Sequence, residues 1–179
     1  PLGGKARDDN KVIDEDTYKW DGKEYYYDWA PLKKQIDNVT AEFRLHQLVT
    51  DNPPWAFQRE MDLKAGEAVE TYGNPWPPND SNAWSLYIQA MMQELIKTYG
   101  KEQVAQWRYC IGREIGTPGH WRAGKLAFFE HYKNTVNAIR SVLPNATVGT
   151  HFRECSSKHA YGPDFVTWCQ QNNVHYDFI

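Results

Sequence analysis

The sequence predicts an α/β protein in which helices pack on a parallel sheet. Three observations lead there. Apolar residues recur at helical spacing over 80–99 and 123–142. Short strand candidates lie at 42–49, 104–111, 146–151 and 174–179. The two kinds of element alternate along the chain, and parallel strands need such helical crossovers. A strand buried on both faces should be apolar throughout, and "VAQWRYCI" only partly obeys. Inward polar residues suit a barrel whose interior is filled by layers of side chains.

Taken in order, the first helix covers 31–39, with Leu32, Ile36 and Val39 on its apolar face. The strand over 42–49 follows, with His46 at its middle read as a satisfied interior histidine. The helix over 80–99 places Trp84, Tyr87, Ile88, Met91, Leu95 and Tyr99 on one stripe. Asp80 or Ser81 caps its start, and Gly100 stands where a left-handed terminator belongs. After the strand at 104–111, the helix over 123–142 carries Leu126, Phe129, Tyr132, Val136, Ile139 and Leu143, and Pro144 stops it. The strand at 146–151 leads to a helix after Pro163, with Phe165, Val166 and Trp168 as its buried candidates. The last strand is 174–179. No internal repeat, low-complexity tract or linker interrupts the order, so residues 1–179 read as one domain. "VHYDFI" ends the chain inside a strand pattern and "PLGGKARDDN" opens it like a strand-to-helix loop, which predicts a fragment.

Composition narrows the function classes. The net charge is −3, and Lys and Arg are dispersed without a basic stripe, which argues against a nucleic-acid partner. No apolar run approaches the roughly 20 residues of a membrane span. No glycine-rich phosphate loop follows a strand, which disfavours a Rossmann-type enzyme. Cys/His spacing of the zinc type is lacking, so no metal or other cofactor is expected. Of three cysteines, Cys110 in a strand and Cys169 in a helix read as buried thiols, and any bridge would involve Cys155. The aromatic share is high, at 15% with 8 Trp. Rings gather where flat apolar faces meet amphipathic partners, sugars among them. Three N-x-S/T sequons, at Asn38, Asn79 and Asn145, point to a glycosylated, secreted protein.

One stretch carries the chemistry. In "QWRYCIGREIGTPGHW", residues 106–121, an apolar run rises into Gly112, Arg113 and Glu114, then a Gly/Pro loop, then His120 and Trp121. "WRYCIGREIGTPGHW", "AIRSVLPNATVG", "HYDFI" and "YYYDWAPLKKQIDNV" together resemble glycoside hydrolase family 39, the β-xylosidase and α-L-iduronidase group. That resemblance implies a (β/α)8 TIM barrel, of which this chain holds the part from about strand two to strand six. It implies that Glu114 is the acid/base carboxylate at the end of the fourth barrel strand. The second carboxylate of a retaining mechanism would then lie beyond Ile179, so the rest of the barrel is a required partner. The family's Asn before the acid/base is Arg113 here, and the Pro after it is Ile115. Arg113 suits a sulfated or uronic sugar; alternatively catalysis is lost and the barrel binds carbohydrate or builds structure, or Arg113 turns into a structural salt bridge.

The expected function is therefore a glycoside hydrolase acting on a β-linked, anionic oligo- or polysaccharide, with a non-catalytic carbohydrate-binding or structural homologue as the alternative. Trp55, Tyr72 and Trp76, in loops on the same face as Glu114, are candidates to stack on sugars. His120, Trp121 and His151 are further cleft candidates, with Arg153 and Glu154 just beyond, and Arg7, Asp8 and Asp9 are placed in an earlier loop. Asn38 and Asn145 precede strands and so lie opposite the pocket, whereas Asn79 lies nearer it. Oligomeric state is not legible.

Overall fold

A computed structural model describes residues 16–57, 73–117, 119–153 and 161–179. The candidates Arg7, Asp8, Asp9, Tyr72, Glu154 and Cys155 lie outside them. Two strands, β1 (Tyr18–Trp20) and β2 (Tyr25–Tyr27), form an antiparallel hairpin ahead of α1 (Ala30–Thr40). Then come β3 (Gln47–Thr50), a 3-10 turn (Trp55–Phe57), α2 (Ser81–Tyr99), a short α3 (Lys101–Val104) and β4 (Arg108–Ile115). The chain continues through α4 (Lys125–Val142), β5 (Thr147–Phe152) and α5 (Tyr161–Asn172).

β3, β4 and β5 form a parallel sheet in that order. Side chains alternate across it, as strand geometry requires. Leu48, Tyr109, Ile111 and Val148 join one core with Ile36 of α1, Met91 of α2 and Phe129 of α4. On the other face, Gln47, Arg108 and Thr147 are in register as one row, and Val49, Cys110 and Gly149 as the next. Rows of this kind are how a barrel interior is layered. Beyond β5 a parallel bridge joins Gly149 to Phe178. A Cβ on Gly149 would meet the Phe178 carbonyl at 2.3 Å, so only glycine lets the next strand approach. The expected strand over 174–179 is reduced to that bridge, because the Asp177 carboxylate, not a backbone carbonyl, accepts the Val148 N–H at 2.8 Å.

Helix signals translate directly. Asp80 caps α2, its Oδ1 accepting from the N–H groups of Asn82 (2.9 Å) and Ala83 (3.0 Å). Gly100 closes it at φ +83°. Pro31 begins α1, where its missing N–H costs nothing. The Trp84 indole donates to Thr135 Oγ1 at 2.8 Å, joining α2 to α4 inside the core.

Several expectations need correction. Residues 42–46 are turn and loop, not strand, and His46 is exposed, not interior. Val104 ends α3, so β4 begins later, at Arg108, and runs on to Ile115. Leu126 is exposed and the buried face of α4 includes Phe128, His131, Thr135 and Ala138, because α4 packs against both α2 and the core of the sheet. Val39 is also exposed, beside a groove lined by Leu32, Ile36, Leu45 and Val49 along the edge of β3. Cys110 and Cys169 are buried free thiols, and burial pushes Cys110 up to about 12 and Cys169 to about 11.

Candidate active site

The parallel strands all end on one side of the sheet, and the chemically capable residues collect there. Asp51 and Asn52 follow β3 directly, Arg113 and Glu114 lie near the end of β4, and β5 carries the exposed His151 near its end. Between the pairs Ile111↔Thr150 and Ile115↔Phe152, β4 threads Gly112, Arg113 and Glu114 against His151 alone. The surplus residues form a bulge, with φ +76° at Gly112 and +48° at Glu114. A left-handed φ in a non-glycine residue marks a conformation its surroundings must impose.

Those surroundings are hydrogen bonds from the following loop. The Glu114 carbonyl accepts from the Thr117 N–H at 3.0 Å, and the Ile115 carbonyl from Arg153 N–H at 3.2 Å. His120 Nδ1 lies 2.7 Å from the Arg113 carbonyl oxygen. A carbonyl can only accept, so Nδ1 carries the proton. The Ile115 side chain folds back under Gly112 and fills the core side of the bulge. The Glu114 side chain is exposed, with no hydrogen bond or ion pair holding the carboxylate among the described residues.

Arg113, by contrast, is paired. Its Nε lies 3.4 Å from Asp51 Oδ2, an ion pair between a half-exposed guanidinium and a nearly buried carboxylate. Beneath them is a narrow recess of about 10 Å³, room for about one water molecule, lined by Asn52, His120, Trp121 and His131 among others. Glu114 is not part of that lining. Asn52 stands at φ +50° and donates from Nδ2 to the Asn74 carbonyl at 3.2 Å. Asn74 Oδ1 in turn accepts from the Trp76 N–H at 3.0 Å, and the Pro75 carbonyl accepts from the Arg122 N–H at 2.9 Å. The loops after β3 and β4 are thereby tied together over the recess.

The aromatic candidates separate by burial. Trp76 is 39% exposed and offers its ring to solvent. Trp55 is 3% exposed, packed into the 3-10 turn with its backbone N–H donating to Asp16 Oδ2 at 2.8 Å, so its ring is not presented to a ligand. Trp121 is also buried; its indole donates to the Gly124 carbonyl at 2.8 Å and its ring contacts Phe128 and His131. It floors the recess. The sequon residues Asn38, Asn79 and Asn145 are all exposed. Asn38 and Asn145 precede β3 and β5, whereas Asn79 hydrogen-bonds the 3-10 turn on the site's side through its N–H.

Asp51, Asn52, Asn74 and His131 were not singled out in the sequence. Asp51 and Asn52 had a readable signal, since they follow a strand directly on the face where such sheets place their sites. His131 had none, because it sits inside an apolar helical stripe. It lies among the rings of Trp84, Trp121 and Phe128, and burial lowers its pKa to about 3. The unfolded value is about 6.5. The stability contributed by this neutral imidazole is therefore full above about pH 6.5 and is lost as pH falls towards about 3. The slope is at most about 1.4 kcal/mol per pH unit. His131→Phe should flatten it: in urea melts of the intact protein, wild type should lose about 2 kcal/mol more than the variant between pH 6.5 and 5. Equal losses would mean that the imidazole is solvated.

Comparison with known proteins agrees with this arrangement. The model of glycosyl hydrolases family 39 matches residues 22–179. An alpha-1,4-L-rhamnosidase of Formosa agariphila is 51% identical, aligned over all of this chain and 38% of its own length. A beta-xylosidase of Geobacillus stearothermophilus is 32% identical over 65% of this chain and 24% of its own. Among solved structures, a GH39 enzyme from Xanthomonas axonopodis pv. citri and a monomeric beta-xylosidase from Caulobacter crescentus each superpose with TM-score 0.70 and 24% identity. Each covers 90% of this chain, which spans 31% of theirs. The fold is thus part of a (β/α)8 barrel, with β3, β4 and β5 as consecutive staves.

Proposed function

Because the chain belongs to family 39 of the glycosyl hydrolases, we propose that the protein containing it is a glycosidase with Glu114 as its acid/base. The observation that carries this reading is the position of Glu114: an exposed carboxylate on a built bulge at the carboxyl end of an inner stave. In a retaining reaction the protonated carboxyl gives its proton to the leaving oxygen while a second carboxylate attacks the anomeric carbon. The same group, now ionised, then takes a proton from the water that releases the sugar. The second carboxylate would come from a later stave of the same barrel.

For the substrate, the 51% relative favours an α-1,4-linked L-rhamnoside over the β-linked sugar expected from the sequence, while the xylosidase relatives support a β-xyloside as the second choice. An anionic sugar is less strongly favoured than the sequence suggested, since Arg113 has a carboxylate neighbour within the protein. That ion pair supports the reading of Arg113 as a structural salt bridge; a non-catalytic homologue is kept as the alternative because Arg113 stands where the family has Asn. We infer secretion from the three sequons alone; Asn38, Asn79 and Asn145 are exposed, which leaves room for glycans.

The test is hydrolysis by the intact protein of 4-nitrophenyl α-L-rhamnoside, 4-nitrophenyl β-D-xyloside and a soluble polysaccharide containing α-1,4-linked L-rhamnose. The rhamnosides should be cleaved at least tenfold faster than the xyloside, with retention at the anomeric carbon by NMR. Cleavage of none of them would leave the non-catalytic reading.

A further inference from the structure

The hairpin of β1 and β2 has no place in the site just described, yet it concentrates exposed rings. Cross-strand pairs place Tyr18 opposite Tyr27 and Trp20 opposite Tyr25, so all four rings share one face. The inner pair anchors the hairpin: Tyr18 packs on Phe57 at 4.5 Å between centroids, and Tyr27 on Trp29 at 5.3 Å. A hairpin of three-residue strands needs such an anchor, and this one suffices. The outer pair anchors nothing. Trp20 is 54% exposed and Tyr25 51%.

These outer rings are nonetheless held in place. Tyr25 stacks on Tyr18 at 5.0 Å and 26°, and Trp20 lies 4.8 Å from Tyr25. The hairpin loop is fixed by Asp21, whose Oδ1 accepts from the Lys23 and Glu24 N–H groups at 2.8 and 2.9 Å, with Gly22 at φ +104°. The platform is therefore preorganised, and a ligand would bear little cost for ordering it. It rests on the connection that also lines the recess: Tyr18 packs on Phe57 of the 3-10 turn, which belongs to the same loop as Asn52 and Pro53 of the lining.

We propose that Trp20 and Tyr25 form an accessory saccharide-binding platform that holds a distal part of a polymeric substrate whose scissile bond lies at the strand ends. Two rigid faces with a phenol and an indole N–H at their edges match a pyranose, which is apolar on its C–H face and hydroxylated around its rim. The patch is too small for a protein partner, which needs roughly 800 Å² per side. The proposal rests on the glycosidase reading for its substrate class.

The experiment uses the intact protein with Trp20→Ala, Tyr25→Ala and the double variant, and Tyr26→Ala as a control on the hairpin's opposite face. The ratio of KM on the rhamnose-containing polysaccharide to KM on the aryl rhamnoside should rise at least fivefold in the double variant and stay unchanged in Tyr26→Ala. Electrophoresis through gels containing that polysaccharide, or xylan, should show loss of retardation in the double variant. Since that readout needs no turnover, it remains decisive if the protein hydrolyses nothing. Unchanged retardation and KM ratio would overturn the platform, as would equal loss on polymer and aryl glycoside, which would mean that the rings support structure or cover another segment of the same chain.

Discussion

Replacing Glu114 by Gln in the intact protein should lower kcat/KM on an alkyl or oligosaccharide glycoside by about 10²–10⁴-fold. The amide keeps the shape of the side chain but has no acidic proton to give and cannot accept one from water. The bulge should survive the change, because its backbone carbonyls accept hydrogen bonds from backbone N–H groups and from His120, and no atom of the Glu114 side chain is involved. A 2,4-dinitrophenyl glycoside, whose leaving group departs unprotonated, should behave differently. Its first step should be nearly unaffected, and the covalent intermediate should accumulate, so kcat and KM fall together. An equal loss of kcat/KM on both substrates would remove Glu114 from the proton-transfer role.

The second large effect is structural. Gly112→Ala puts a side chain at φ +76°, which costs about 1–2 kcal/mol for an L-residue. The new methyl would also lie 2.8 Å from Ile115 Cγ1 and Cδ1 and 3.0 Å from Phe128 Cε2. Both neighbours are buried, so neither ring nor chain can swing into solvent. Overpacking of this kind adds about 1–3 kcal/mol, giving a total of about 2–5 kcal/mol. Denaturant melts of the intact protein would measure it. Ile115→Ala removes the colliding atoms, so Gly112→Ala should cost less in that background than alone; strict additivity would show that backbone strain acts by itself. Activity should fall as well, since displacing the bulge moves the adjacent Glu114.

Much of the fold was legible because the signals were local. Asp80, the Trp84–Tyr99 stripe and Gly100 specify α2 through capping and periodicity, and the structure follows them closely. The hairpin was missed although Asp21-Gly22 between aromatic runs is a turn signal. Leu126 failed for a different reason. Helical spacing shows that a stripe exists, but which of two adjacent stripes is buried depends on the elements packed against it, here α2 and the sheet.

The site divides along the same line. The order of amino acids alone determined that a strand would end in Arg113 and Glu114, that helices would alternate with parallel strands, and that Cys110 and Cys169 would be buried, because hydrophobic period and chain termination act over a few residues. Only the tertiary structure decided that Arg113 meets Asp51 across two staves, that His120 reaches back to brace the bulge, and that Trp55 and Trp121 turn inward while Trp76 stays out. Those outcomes depend on strand register and on a bulge that resets the alternation of side chains, and register is fixed by contacts between residues some sixty positions apart.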